Sequence, residues 1–402
     1  MNLYYYISLA AILSQAIFLV QMLSNYRYAL SRYKRPRSWY RPRTVMVVPC
    51  KGLDSAFEKN ISSFFNQDYE NYLLWFVVAE KSDPAYGRLC ELKEKLSQRS
   101  KAQDVRILVA GHGESCSQKV HNLLYCYHKI DDDVEVLAFA DSDSCIRHNW
   151  LSHIVYPLRQ VKNGAASGYR WFIPQKNNLA TLALSAMNAK VAQLLGKTHF
   201  NQAWGGSMAI RVDVFRQVGL DKIWPKVLSD DLSLSYAVKK AGMKVAFVPA
   251  CMVASYESTT WKQLFEFARR QFLITRVSAP RTWRFGLFSS FFSVAGLWGS
   301  AAMALYAAKI SEPRLAFFAA VPAIFFISQM ARAILRQAMI SKLLEEDWPN
   351  MKVACTADIL FFWVWSLLLA AAIISSAFGR TIKWRGIRYK LAGPTETLVI
   401  SE

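Results

Sequence analysis

Two aspartates separated by a single residue follow an apolar segment near the middle of the chain. Residues 137–140 have the composition of a buried strand, and Asp141 and Asp143 come directly after it. Because alternate side chains of an extended segment point to the same side, the two carboxylates are predicted to face one way. Mg²⁺ binds one or two carboxylates together with substrate phosphates, so the pair indicates a metal–phosphate site. A helix N-cap or an Asx-turn would use the same residue types.

The elements that position this pair alternate between strand and helix. Strands are predicted at residues 44–49, 72–79, 105–110 and 137–140, and helices at 57–65, 89–96 and 117–128. This order predicts an α/β domain with a mostly parallel, doubly wound sheet and right-handed crossovers. Asp54, Glu80 and Asp83 follow the first two strands. Ligands bind at the carboxyl ends of the strands in such sheets, so these acids are predicted to line one crevice with Asp141.

A second pair of acids, Asp230 and Asp231, lies at the start of another predicted helix. Ser229 has the residue type of an N-cap, and Gly242 that of the position just past the helix end. The helix dipole favours acids in the first turn, and this accounts for one of the two aspartates. The adjacent acid is predicted to have a chemical role beside the anion-binding crevice.

Five further elements flank this second pair. Residues 165–174 are predicted as a strand with aromatic groups, 179–195 as an apolar helix, 204–211 as a glycine turn leading into a strand, 213–218 as a helix with Asp213 as its N-cap, and 261–276 as a basic, aromatic helix. The apolar helix is assigned to the core, although a helix on the membrane surface would have the same composition. The basic helix suits either a membrane surface or the binding of a diphosphate leaving group.

Four apolar segments approach the length of about 20 residues that crosses a bilayer as a helix. They cover residues 3–23, 285–308, 315–334 and 359–378. The first lacks the basic start and the small-residue cleavage site of a signal peptide, so it is predicted to remain as an anchor. The protein is therefore expected to be a multi-pass integral membrane protein whose partner is the lipid bilayer.

The formal net charge of +20 is unevenly distributed. Seven basic residues follow the first apolar segment with no acid among them: Arg27, Arg32, Lys34, Arg35, Arg37, Arg41 and Arg43. Basic residues beside a membrane helix indicate its cytoplasmic end and attraction to anionic headgroups, so nucleic-acid binding is not expected. The seven cysteines show no C-x-x-C spacing, which argues against a disulfide framework or a zinc site and indicates a reducing compartment.

Taken together, the motifs resemble those of inverting, family 2-type glycosyltransferases, most closely the ceramide glucosyltransferases of family 21 and their bacterial relatives. The opening P-x-K-G-x-D and FF-x-x-D-Y motifs of the family are similar to residues 49–54 and 64–69. The first, second and third acidic motifs of the family are similar to residues 80–85, 141–143 and 230–231. The family's ending after the last membrane span is similar to residues 381–391. Lys119 and Asn122 fit a P-K-x-x-N-L motif in which Gln118 replaces the proline. The resemblance covers nearly the whole chain.

This resemblance implies a GT-A catalytic domain, Rossmann-like, with α-helical transmembrane segments, a nucleotide-sugar donor, and Mn²⁺ or Mg²⁺. Asp231 would be the catalytic base, and Asp143, with Asp141, would bind the metal. Trp204, Gly205, Gly206 and Phe272 would lie on the acceptor side. The residues assigned to the nucleotide-sugar are Pro49, Lys51, Asp54, Glu80, Asp83, Lys119, Asn122, Asp141, Asp143, Asp230, Arg269, Arg270, Gln271 and Arg276.

Two positions depart from the family pattern. The (Q/R)-x-x-R-W box is degraded, so the arginine role falls within residues 269–272 without a single assignment, and Glu80 replaces the usual aspartate. The expected reaction is transfer of glucose from UDP-glucose to ceramide, with diacylglycerol or a hopanoid-type lipid as other acceptors. An inactive lipid-binding relative is the alternative from another class. A processive synthase with a polymer channel is not expected, because it needs more helices and an intact arginine box.

The chain is thus predicted to divide into six parts. These are an N-terminal transmembrane anchor (1–24), a basic juxtamembrane linker (25–43), a catalytic domain (44–256), an interfacial helix region (257–284), about three C-terminal transmembrane helices (285–379) and a basic tail (380–402). A cytoplasmic catalytic domain and four crossings would place the tail outside, whereas its basic residues favour the cytoplasm. Either one segment does not cross fully or the tail is an exception. The sequence carries no signal for oligomeric state.

Overall fold

The computed structural model describes residues 2–35, 39–54, 56–113, 116–384 and 387–401. Its centre is a seven-stranded sheet with strand order β3-β2-β1-β4-β6-β5-β7. The strands are β1 (Thr44–Pro49), β2 (Tyr72–Val78), β3 (Asp104–Val109), β4 (Val136–Ala140), β5 (Asn163–Pro174), β6 (Ser207–Arg211) and β7 (Lys244–Glu257). Strand β6 runs antiparallel to its neighbours β4 and β5, and the other neighbouring pairs are parallel. The sheet is therefore mixed and mostly parallel, as predicted.

Helices cover both faces of this sheet. They are α2 (Phe57–Phe65), α3 (Pro84–Leu96), α4 (Gln118–Tyr127), α5 (Trp150–Val155), α6 (Leu179–Ala192), α7 (Val212–Gln217), α8 (Leu220–Ile223), α9 (Asp230–Lys240) and α10 (Trp261–Ser278). One face buries Phe64, Leu89 and Trp150, and the other buries Leu123 and Phe215. Continuous apolar strands such as β1 and β2 result from burial on both faces.

Side-chain caps set the starts of α3 and α9. The start of α9 agrees with the predicted N-cap Ser229, whereas α3 begins at Pro84, before the predicted residues 89–96. Asp83 accepts a hydrogen bond from Ala85 N at the start of α3, and Ser229 accepts one from Leu232 N at the start of α9. The predicted N-cap role of Asp213 is wrong. Helix α7 begins at Val212, directly after the extended Arg211, so Asp213 lies inside the first turn, where the dipole still favours an acid.

The apolar helices form a bundle beside the sheet. They are α1 (Asn2–Tyr33), α11 (Pro280–Val294), α12 (Ser300–Lys309), α13 (Leu315–Leu343), α14 (Trp348–Leu360) and α15 (Phe362–Ser375). Among the described residues, three stretches have the length and composition to cross a membrane: Tyr4–Tyr33, Pro280–Lys309 and Leu315–Leu343. Helix α1 continues to Tyr33, well beyond the predicted anchor, so part of the predicted linker is helical.

The single helix predicted for residues 359–378 is wrong. The segment belongs to α14 and α15, which meet at an 85° bend at Phe361. Helix α15 has 14 residues and is therefore about 21 Å long, shorter than the hydrocarbon core of about 30 Å. It packs against α10 and α6 instead, through Trp365 and Ala372.

The basic tail folds as a three-stranded antiparallel sheet of β8 (Thr381–Trp384), β9 (Ile387–Gly393) and β10 (Glu396–Ser401). Ile382, Tyr389 and Leu391 pack against Leu228 and against Leu273 of α10. The tail therefore lies on the same side of the membrane helices as the large sheet. Two residues of the predicted family ending, Arg385 and Gly386, lie outside the described residues.

Candidate active site

Lys119 joins the two acid pairs that the sequence singled out. Its Nζ lies 2.7 Å from Asp141 Oδ1 and 3.1 Å from Asp230 Oδ2. The three residues come from the start of α4, the end of β4 and the start of α9, which are far apart in the chain. The carboxyl end of β4 therefore lies beside the start of α9, and the third acidic motif lies beside the second.

Charge and burial shift the pKa values of this cluster. Asp143 keeps part of its surface exposed, yet desolvation by the surrounding protein, reinforced by repulsion from Asp141, raises its pKa above the usual aspartate value. Burial also raises the pKa of Asp230 to about 6, against the lowering effect of Lys119. Burial by itself would lower the pKa of Lys119, but Asp141 and Asp230 outweigh it and raise that pKa above the usual lysine value. The cluster thus has more negative charge than one lysine neutralises.

Two glycines allow the backbone to approach these carboxylates closely. A Cβ on Gly205 would lie 2.4 Å from Asp230 Oδ2, and a Cβ on Gly206 would lie 2.6 Å from Asp141 Oδ2. Real Cβ atoms do not come that close, so any other residue would displace the acids. The glycine turn before β6, predicted for the acceptor side, therefore also shapes the acidic cluster.

Asp231 is held in one orientation by three donors. Its Oδ2 accepts a hydrogen bond from Gly205 N at 3.0 Å. Its Oδ1 accepts hydrogen bonds from Ser229 Oγ at 2.5 Å and Leu232 N at 2.7 Å. An ionised carboxylate has about four acceptor positions, so three donors leave one for a further ligand.

The predicted nucleoside residues lie around the ends of β1 and β2. Asp83 Oδ1 accepts hydrogen bonds from Gly52 N at 2.8 Å and Ala85 N at 2.9 Å, so it ties the turn after β1 to the start of α3. Pro49 ends β1, and Lys51 is exposed in that turn. Asp54 Oδ1 accepts a hydrogen bond from Ala56 N at 2.7 Å. Glu80 is exposed, 3.6 Å from His112 Nε2.

Gln118, which replaces the family's proline, has a role that the sequence did not indicate. Its Nε2 donates to Gly111 O at 2.8 Å and to Asn122 Oδ1 at 2.7 Å, and its Oε1 accepts from Gly113 N at 3.1 Å. The side chain therefore connects the glycine loop after β3 to helix α4. Asn122, predicted to contact the donor, is buried and bonded to Gln118 instead.

Arg170 is a second residue that sequence reasoning missed. Its guanidinium lies over the rings of Phe172 at 4.6 Å, Trp204 at 5.6 Å and Phe267 at 5.6 Å. Its charge also lowers the pKa of Asp143, against the larger effect of burial. The Tyr-Arg-Trp sequence of β5 was the available signal, but strand periodicity alone does not show which charge the arginine faces.

Two predicted diphosphate ligands have other partners. Arg269 Nη2 donates to Phe378 O at 3.1 Å, and Arg276 donates to Ala377 O and Gly379 O. These carbonyls follow the carboxyl end of α15, where the helix dipole attracts cations. Arg270 lies over Phe267 at 5.6 Å. The structure therefore does not bring Arg269 and Arg276 to the acidic cluster.

A cavity of about 340 Å³ extends from Asp231 and Trp204 into the apolar bundle. Gln271, predicted to contact the nucleotide-sugar, and Phe272, predicted for the acceptor side, both line it. Its far wall includes Phe18 of α1 and residues of α11, α13 and α15. The cavity therefore connects the acidic cluster with helices that have the length to cross a membrane.

Asp141 and Asp143 fit a divalent cation. Lys119 binds Asp141 Oδ1, which leaves the other oxygen free for a metal, and the repulsion between the two carboxyl groups would be offset by a cation. In the described ranges no group of three or more His, Cys, Asp or Glu side chains could hold a metal. The remaining ligands would be phosphates and water, as is usual for Mg²⁺.

A family model described as glycosyl transferase family 21 matches residues 4–396. The chain belongs to this family. Family membership confirms the predicted glycosyltransferase, and the mixed, mostly parallel sheet with flanking helices agrees with the predicted GT-A fold.

Two solved structures are similar to this glycosyltransferase. The mannosyltransferase PcManGT from Pyrobaculum calidifontis, in complex with GDP-Man and Mn²⁺, is 14% identical with a TM-score of 0.44, over 92% of this chain and 97% of that chain. GalNAc-T7 with UDP, GalNAc and Mn²⁺ is 13% identical with a TM-score of 0.40, over 58% of this chain and 51% of that chain.

Proposed function

We propose that this glycosyltransferase transfers a hexose from a nucleotide-sugar to the hydroxyl group of a membrane lipid, with inversion at the anomeric carbon. UDP-glucose is the donor and ceramide the acceptor expected from the resemblance, with diacylglycerol or a hopanoid-type lipid as other acceptors. The cavity between Asp231 and the membrane helices carries this proposal. A soluble acceptor would not need a route lined by Phe18, Phe285 and Leu369.

The apolar wall suits the chains of a lipid, and the polar end suits its hydroxyl group. Phe172, Leu184 and Phe267 line the cavity on the side of α6 and α10, whereas Ser229 and Asp231 line its end at α9. Lipid hydroxyl groups lie at the headgroup level. A catalytic domain attached to membrane helices can receive such a group without removing the chains from an apolar environment.

Asp231 would act as the general base. Its three hydrogen bonds fix the carboxylate, and the remaining acceptor position would take the proton of the acceptor hydroxyl. The oxygen would then attack the anomeric carbon from the side opposite the diphosphate, which inverts the configuration. A positioned base of this kind contributes about 10²–10⁴-fold to the rate.

The negative charge that develops on the departing nucleoside diphosphate needs positive charge nearby. Mn²⁺ or Mg²⁺, when bound by Asp143 and Asp141, would supply most of it by neutralising phosphate oxygens. Lys119 adds a positive charge at the same carboxylates, and Arg170 lies close enough to Asp143 to influence its pKa. Fixed charge of this kind is usually the largest single contribution to catalysis.

The proposed topology places the catalytic domain in the cytoplasm. Seven basic residues follow the main part of α1, and such residues favour the cytoplasmic side. Tyr4 of α1 stacks on Phe318 of α13, and Ala29 packs with Met339, so α1 and α13 run in the same direction. Helices α11 and α12 together would cross in the opposite direction between α1 and α13. Three crossings would then leave the chain on the side of the catalytic domain, where the tail packs.

The test is transfer by the purified full-length protein in nanodiscs. Radiolabelled UDP-glucose and other nucleotide-sugars are supplied with ceramide, with diacylglycerol or with a total lipid extract, in the presence and absence of EDTA. We expect a labelled lipid that depends on the divalent cation and is lost in Asp231→Asn. Labelled free sugar without labelled lipid, under every condition, would contradict a lipid acceptor.

A further inference from the structure

The wall of the acceptor cavity contains a group of cations that glycosyl transfer does not require. Lys190 of α6 and Arg332 and Arg336 of α13 line the cavity beside the membrane helices. Among the described residues that line the cavity, Asp231 at the catalytic end is the single acidic one. The wall therefore carries several basic side chains in a region whose surface is mostly apolar.

One of these cations has a carboxylate partner. Arg336 Nε donates to Asp358 Oδ2 at 2.6 Å in a pair that is almost completely buried, and Gln337 Nε2 donates to the same oxygen at 2.7 Å. This pair connects α13 to α14. It neutralises the charge of Arg336 and leaves those of Lys190 and Arg332 to be explained.

Lys190 and Arg332 bind neutral groups. Lys190 Nζ donates to Ser366 Oγ at 2.6 Å and to Phe362 O at 3.1 Å. Arg332 Nη2 donates to Gln15 Oε1 at 3.1 Å. Within the part of the chain that the structure describes, no carboxylate oxygen lies within 4.0 Å of either side chain. Neither side chain therefore has a direct carboxylate partner, although Asp358 lies close enough to Lys190 to raise its pKa in part.

Such an arrangement is unfavourable unless a ligand compensates for it. Burial lowers the pKa of Lys190 well below the usual lysine value, and the charges of Arg336 and Arg332 lower it further. Ionisable groups at membrane depth are costly and mark binding sites and pathways. Hydrogen bonds between helices alone could be made by uncharged side chains, as Gln329 and Ser366 show in the same wall.

We propose that Lys190, Arg332 and Arg336 bind the anionic group, phosphate or carboxylate, of a lipid held in the acceptor cavity. Two cations with neutral partners and one paired arginine match an anion with several acceptor oxygens. The apolar wall formed by Phe18, Leu369 and Ile373 would hold the chains of the same lipid. The inference rests on the proposed function only in taking the cavity to be a lipid site.

The experiment measures lipid binding by the purified full-length protein in detergent, without a nucleotide-sugar. A fluorescent phosphatidic acid is the probe, and diacylglycerol with the same chains and inorganic phosphate are the competitors. Because hydrogen bonds to a charged group are stronger than those to a neutral one, we expect phosphatidic acid to bind at least about tenfold more tightly than diacylglycerol. Inorganic phosphate at the concentration of the lipid should not displace the probe.

Variants assign this preference to the cluster. The double variant Lys190→Gln with Arg332→Gln should bind both lipids equally, Arg332→Lys should keep the preference, and Lys309→Gln, at the exposed end of α12, should behave as wild type. Three results would each overturn the proposal. The first is equal binding of both lipids by the wild type, the second is a preference that a correctly folded double variant keeps, and the third is displacement of the probe by inorganic phosphate at the concentration of the lipid. Asp231→Asn should keep the preference, so a failed transfer reaction and a failed lipid site are distinguishable.

Discussion

Lys119 Nζ lies 2.7 Å from Asp141 Oδ1, and this ion pair holds the end of β4 against the start of α4. The same nitrogen lies 3.1 Å from Asp230, so one side chain connects the proposed metal site with the helix that bears the proposed base. The relative position of the proposed donor and acceptor sites therefore depends on Lys119.

Replacing Lys119 by methionine should destabilise the protein and weaken donor binding. Two neighbouring carboxyl groups, the buried Asp230 and the partly exposed Asp141, would lose their cation. Breaking a buried pair costs about 3–5 kcal/mol, and we expect about 2–3 kcal/mol because the Lys119 side chain keeps 23% of its surface exposed. The melting temperature and the Kd for UDP would report both effects. Lys95→Met, at an exposed position of α3, is the control, and equal behaviour of the two variants would contradict the bridging role.

Asp231→Asn should abolish transfer while UDP binding stays near wild type. An amide keeps the shape of the side chain but cannot accept the proton of the acceptor hydroxyl, so we expect a loss of about 10²–10⁴-fold in kcat. Calorimetric titration with UDP and a transfer assay separate the two properties. Asp213→Asn, a first-turn acid of α7, is the matched control. Loss of UDP binding in Asp231→Asn would show that its role is donor binding.

Asp143→Asn should weaken the metal dependence of UDP binding. The change removes a charge from the pair that fits a divalent cation, and metal ions prefer carboxylate over amide oxygens. The Kd for UDP, titrated against Mn²⁺ concentration, measures the effect. Asp132→Asn, in the exposed turn before β4, controls for net charge. Unchanged metal affinity would remove Asp143 from the proposed metal site.

Gly205→Ala should inactivate the enzyme although it adds a single methyl group. The new Cβ would lie 2.4 Å from Asp230 Oδ2 and 2.7 Å from Lys119 Nζ, so both must move. Gly87→Ala in α3 meets no atom within 4 Å and should be neutral or stabilise the helix by up to about 1 kcal/mol. Activity and melting temperature of the two variants give the comparison, and an active Gly205→Ala would contradict the tight packing.

Protease added to sealed inside-out vesicles should cleave both the catalytic domain and the C-terminal tail. The tail sheet packs on Leu228 and Leu273, so we expect the two parts to lie on one side of the membrane. Immunoblots with tags in each part would detect the cleavage, and intact vesicles of the opposite orientation provide the control. Protection of the tail together with digestion of the domain would mean that the last helices cross the bilayer.

Local signals in the sequence were sufficient for most of the large sheet and for the acid pairs. Continuous apolar strands end at acids, and Ser229 begins α9 as its residue type predicts. The same local reasoning does not determine long-range partners. Arg269 and Arg276 have the right helical spacing for a shared face, but which group meets that face depends on where α15 ends.

Two further differences have identifiable causes. Average hydropathy over residues 359–378 does not register the bend at Phe361, because apolar side chains occur on both sides of it. The tail contains the alternating pattern of a strand: Tyr389 and Leu391 alternate with basic residues, and Ile382 is followed by one. The high charge of the tail obscured this pattern. In the sequence Gln118 is only a departure from the family motif, because its hydrogen bond to Gly111 in the glycine loop depends on the folded path of the chain.

The packing of the C-terminal sheet bears on the order in which the molecule is assembled. Ile382, Tyr389 and Leu391 pack with Leu228 and Leu232, the apolar residues on either side of the segment that contains Asp231. Chains fold from the N-terminus as they leave the ribosome, so the large sheet can form long before these residues are made. The support of the proposed base thus comes from residues that are synthesised after the large sheet, and a polypeptide that stops short of β9 would lack that support although the sheet could already be formed.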